Sequence, residues 1–95
     1  MQVFWTLPAL NDLEEIQDYI AQESPVAAYR LVADVMDRAD SLLSDNPMIG
    51  RRGRVNGTRE LVMSRTPYIV VYRVNSRVEI LAVIHGAREW PESFS

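Results

Sequence analysis

At 95 residues the chain is expected to form one compact domain, residues 1–95, with little room for a deep active-site cleft. It has no cysteine and one histidine, so disulfide, thiolate and structural zinc chemistry are not expected, and no cofactor is implied. The net charge of −3 is unevenly spread: residues 1–49 carry two arginines against nine carboxylates (−7), and residues 50–95 carry eight arginines against four (+4), an asymmetry that suits an acidic partner or a nucleic acid.

Every basic residue is arginine, which favours forked recognition of carboxylate or phosphate and removes lysine from any catalytic scheme. Met1, Val3 and Trp5 alternate with Gln2 and Phe4 as in a short strand. The first residues have no basic leader and no long apolar run, and nothing approaches the roughly 18 apolar residues of a membrane span, so a cytoplasmic protein without membrane contact is expected.

Ala9, Leu13, Ile16 and Ile20 recur at helical spacing between acidic positions and predict an amphipathic helix. Ser24-Pro25 places a capping side chain before a proline at the first helical position, so a second helix starts there. Its stripe is Ala28, Val32, Val35, Ala39 and Leu42, and it ends at Ser44-Asp45-Asn46-Pro47. So short a connection makes the two helices an antiparallel hairpin. Both helices are acidic, which argues against a basic recognition helix for DNA.

The period then changes. Beyond an Arg- and Gly-rich loop, Gly50 to Gly57, the segments Arg59–Met63, Tyr68–Val74 and Val78–His85 are rich in β-branched and apolar residues and are separated by Thr66-Pro67 and Asn75-Ser76. They predict a three-stranded meander. With the N-terminal strand added and the helical hairpin over one face, the expectation is an α+β fold on an antiparallel sheet of about four strands.

Four stretches then carry a resemblance: A-x-x-D-L-x-x-I-x-x-Y-I from Ala9 to Ile20, Gly57-Thr58-Arg59-Glu60-Leu61, Tyr68-Ile69-Val70-Val71-Tyr72-Arg73, and Ile80 through His85-Gly86-Ala87-Arg88-Glu89-Trp90. In this order they resemble the RelE/ParE family of type II toxin-antitoxin toxins along nearly the whole chain. The resemblance implies a growth-inhibiting toxin neutralised by a cognate antitoxin in a hetero-oligomeric complex. RelE-like members cut messenger RNA in the ribosome without a metal, whereas ParE-like members act on DNA gyrase and are not thought to cleave RNA.

Metal-free RNA cleavage needs a base, an acid and a cation at the developing phosphorane. The arginine of the RelE-like pattern Tyr-Arg-Leu-Val-Tyr falls here on Ile69, and the lysine positions of the preceding strand fall on Glu60 and Val62. These substitutions favour the ParE-like branch. In the alternative, a ribosome-dependent endoribonuclease, His85 with Arg59, Arg65, Arg73 and Arg88 would form the catalytic set. A third reading is a non-toxic member that retains antitoxin binding only. The bland reading of His85 is a packed strand end, and of Arg73, Arg77 and Arg88 a solvated sheet face.

Four arginines fall between Arg51 and Arg59, and Trp90 and Phe94 near the C-terminus either fold back or anchor an interface. The expected partner-binding residues are therefore Arg51, Arg52, Arg54, Arg59, Arg73, Arg88, Trp90 and Pro91. The resemblance also implies that Arg88, Trp90 and Pro91 serve as effector residues and that the antitoxin lands on the Arg-rich half by adding a helix or strand.

Overall fold

The computed structural model describes residues 1–94. The chain runs β1 (Val3–Trp5), α1 (Leu7–Ala21), α2 (Pro25–Asp45), β2 (Arg51–Arg52), β3 (Arg59–Val62), β4 (Tyr68–Val74) and β5 (Val78–His85). The sheet order is β1-β5-β4-β3-β2.

Local chemistry accounts for the helix ends. Thr6 passes from β1 into α1 in a single step, its backbone N–H and its hydroxyl both donating to the Ile80 carbonyl at 3.1 and 2.7 Å. That bond ties the first turn of α1 to β5, and Pro8, lacking an N–H, fits where no helical acceptor exists. At α2 the Ser24 hydroxyl accepts from the Ala27 N–H at 3.1 Å, with Pro25 next, the cap expected from Ser24-Pro25.

The expected α+β architecture and meander are present, with two differences in the sheet. Among the described residues it has five strands where about four were expected, because Arg51 and Arg52 leave the Gly/Arg loop to pair with Glu60 and Arg59. It is also mixed, since β1 pairs in parallel with β5, Val3 opposite Val78 and Trp5 opposite Ile80. Tight turns dictate antiparallel pairing only between consecutive strands. No turn joins β1 to β5, so the helical hairpin between them leaves the direction of β1 free.

Antiparallel registers assign the two faces. Leu61, Val70 and Val83 form one cross-strand row, and Glu60, Val71 and Ala82 form the next. The first row faces the helices, where Ala9, Leu13, Val35, Ala39 and Leu43 close a core with Tyr72, Val78 and Ile80. A bulge at Leu81, between the pairs Val71–Ala82 and Tyr72–Ile80, keeps Ile80 and Val83 on the same inner side.

Tyr72 is fully buried and carries the link between core and loop. Its hydroxyl donates to the Pro47 carbonyl and accepts from the Gly50 N–H, both at 2.8 Å. A Cβ at Gly50 would lie 2.5 Å from that hydroxyl and 2.8 Å from the Glu60 carbonyl, so only glycine fits there. Tyr72→Phe leaves the buried Gly50 N–H without a partner and is expected to cost about 2 kcal/mol. A urea unfolding midpoint unchanged from wild type would contradict this role.

Candidate functional site

The outer face of the sheet, away from the helices, is where the catalytic positions implied by the RelE-like pattern fall. Val62, Ile69 and Ile84 share one cross-strand row on it, and Glu60, Val71 and Ala82 share the neighbouring row. Ile69, Val71, Ala82 and Ile84 form a second apolar cluster, against which Trp90 and Phe94 of the C-terminal segment pack. Both aromatics therefore fold back onto the sheet. The Arg54 guanidinium lies over the Trp90 ring at 3.7 Å, a cation–π contact that links the tail to the β2–β3 loop.

Glu60 stands at the rim of this cluster and is 2% exposed. Its carboxylate accepts from Arg51 Nη2 at 2.9 Å, from the Arg54 backbone N–H at 2.8 Å and from Arg54 Nε at 3.2 Å. Burial pushes this carboxyl up, but the Arg54 backbone N–H and the two guanidiniums outweigh it, so Glu60 titrates below its ordinary value. A buried anion already satisfied by two arginines offers no cationic group to a phosphorane.

His85 lies elsewhere. It pairs with Tyr68, so its side chain is on the helix side of the sheet, and the two rings meet edge to face with centroids 5.8 Å apart. Its Nδ1 accepts from the Ala87 N–H at 3.1 Å. The ring borders an open cavity of about 710 Å³ between α1 and the ends of β4 and β5, shared with Asp12, Glu15, Tyr19, Tyr68 and Arg88. Asp12 Oδ2 accepts from the Val83 N–H at 2.9 Å. Its carboxyl is raised by burial and also by Glu15, against the lowering effect of the Val83 N–H and Arg88. Tyr68 is raised by burial as well, with Tyr19 adding to the shift.

The other arginines named from sequence divide in two. Arg59 donates to the Gly50 carbonyl at 2.7 Å and Arg73 to Glu79 at 2.7 Å, so each stitches its own strand to a neighbouring segment. Arg52, Arg65 and Arg88 are exposed and make no ion pair among the described residues, and Pro91 is exposed at the edge of the tail. Arg65 has φ 65°, a turn conformation that few non-glycine residues adopt. The structure thus brings Arg51 and Arg54 to Glu60, and Arg88 to His85. It does not bring Arg59, Arg65, Arg73 and His85 into one site. Sequence reasoning missed Asp12, Glu15, Tyr19 and Tyr68 as neighbours of His85, although the spacing of the first three along α1 puts them on one helical face.

An edge strand, a helical hairpin and a meander whose outer face is closed by the chain's own tail make this a toxin of the RelE/ParE fold class. The chain belongs to the family of ParE toxins of type II toxin-antitoxin systems, whose profile matches residues 3–90. It is 45% identical over 91 residues to Y4kP of Sinorhizobium fredii, covering 96% of this chain and 94% of that protein. It is 43% identical over 88 residues to toxin RelE2 of Caulobacter vibrioides, covering 92% and 97% respectively. Among solved structures, the chromosomal ParDE toxin-antitoxin system of P. aeruginosa matches with a TM-score of 0.80 at 31% identity, over 90% of this chain and 95% of that one.

Proposed function

We propose that this toxin acts in the cytoplasm by ParE-like poisoning of DNA gyrase, and that a cognate antitoxin holds it in check. The observation that carries the reading is the separation of the groups a nuclease would need. Ile69 lies on an outer face packed under Trp90 and Phe94, with Glu60 on the same face held by Arg51 and Arg54, whereas His85 points to the other side of the sheet. A phosphodiester beside His85 would also face the carboxylates of Asp12 and Glu15, which repel it. Antitoxin binding is supported by the ParDE system that this fold matches.

Purified folded toxin is expected to inhibit gyrase supercoiling and to trap cleaved DNA, and addition of its antitoxin should reverse both effects. The RelE2 name of the Caulobacter relative makes ribosome-bound messenger RNA the natural second substrate for the assay. Cleavage of that RNA, abolished by His85→Ala and without any effect on gyrase, would overturn the proposal.

A further inference from the structure

The cavity between α1 and the ends of β4 and β5 has a composition that the gyrase reading leaves unused. Asp12, Glu15 and Tyr19 stand at successive turns of one α1 face, opposite Tyr68 and His85. Tyr19 is 73% exposed, a large aromatic on the wall of the open cavity rather than packed in the core. Asp12 has one carboxylate oxygen engaged by the Val83 N–H, and neither Asp12 nor Glu15 has an ion-pair partner among the described residues. Among the described residues Arg88 is the one arginine lining the cavity, set against the two carboxylates of Asp12 and Glu15, so these three groups together leave a net negative charge beside aromatic rings.

We propose that this cavity is a binding site for a guanidinium group, of the kind an arginine side chain of a protein partner presents. A planar guanidinium can stack on the exposed face of Tyr19, above the buried edge of Tyr68, while its N–H fork reaches the free oxygens of Asp12 and Glu15. The same walls disfavour phosphate because of their carboxylates. They also disfavour a purely apolar ligand, which would bury those carboxylates unpaired. The assignment holds whichever macromolecule the toxin acts on, since it concerns the site's chemistry alone.

The test is an NMR titration of the full chain with a capped Gly-Arg-Gly peptide, the same peptide carrying citrulline in place of arginine, and methylguanidinium. The arginine peptide is expected to shift the Tyr19, Tyr68 and His85 ring resonances, with the citrulline peptide binding about tenfold more weakly or less. Asp12→Asn with Glu15→Gln should weaken the arginine peptide about tenfold, as loss of two partly exposed charges implies. The amide introduced by Asp12→Asn keeps an oxygen for the Val83 N–H, so backbone amide shifts report that the fold is retained. Tyr19→Ala should weaken binding about fivefold through the lost stacking face. A peptide that binds more tightly than methylguanidinium assigns the site to a partner's side chain, and equal binding assigns it to a free cation. Equal shifts from the arginine and citrulline peptides, shifts mapping away from the cavity, or a double variant binding like wild type would each overturn the proposal.

Discussion

On the proposed gyrase activity, Trp90→Ala combined with Phe94→Ala is expected to lower gyrase poisoning by more than about tenfold and, whatever the activity, to lower stability by about 3 kcal/mol. Both aromatics pack on Ile69, Val71, Ala82 and Ile84, and Trp90 also carries the Arg54 guanidinium. Removing them uncovers an apolar patch and detaches the tail that holds Arg88, Trp90 and Pro91, the candidate effector residues. Chemical denaturation gives the stability, and the supercoiling assay is run at a temperature where circular dichroism shows the variant folded. A folded double variant that poisons gyrase like wild type would rule out the tail as effector. Trp90→Phe is the control for packing. The indole Nε1 is buried with no hydrogen-bond partner among the described residues, so a phenyl ring keeps the contact, breaks no bond seen there and should leave stability within about 1 kcal/mol of wild type.

Glu60→Ala should cost about 3 kcal/mol at neutral pH, since it removes charge-assisted bonds to Arg51 and Arg54 and leaves the Arg54 backbone N–H without its acceptor. The two arginines are themselves about half exposed, which keeps the loss below that of a fully buried pair. Glu60→Gln keeps an acceptor and should lose less. The pH dependence has a definite sign. Folding lowers the Glu60 pKa from its ordinary value of 4.5, so the folded state binds the proton more weakly than the unfolded chain does. The stabilisation is complete above pH 4.5 and is lost as the pH falls through the lower folded value. The difference in unfolding free energy between wild type and Glu60→Gln should therefore be largest at about pH 7 and should shrink below about pH 4. A difference that stayed constant from about pH 7 to about pH 3 would show that the Glu60 charge contributes nothing to folding.

Both experiments act on features that were only partly visible in the amino-acid order. Ile69 and Glu60 departed from the nuclease pattern as residue types, and that much could be read directly. That Ile69 lies beneath an aromatic tail, and that Glu60 is held by arginines six and nine residues away, depends on how loop and tail close over the sheet. The arginines of residues 51–59 read as a partner-contacting cationic cluster; the internal bonds that Arg51, Arg54 and Arg59 also make, with Arg51 and Arg54 still about half exposed, could not be read from their order.

The sequence by itself determined the elements that depend on neighbours a few residues apart. These are the apolar stripes of α1 and α2, the Ser24-Pro25 helix start, the change to a two-residue period after Gly57 and the meander implied by short turns. Only the tertiary structure decided the parallel pairing of β1, the recruitment of β2, the fold-back of Trp90 and Phe94, and the placement of His85 and Ile69 on opposite faces. Those depend on register, on one bulge at Leu81 and on contacts between residues as far apart as Asp12 and Val83. Side-chain alternation fixes which residues share a face within one strand, but which strands and tails meet across the sheet is settled only when the whole chain buries its apolar surface together.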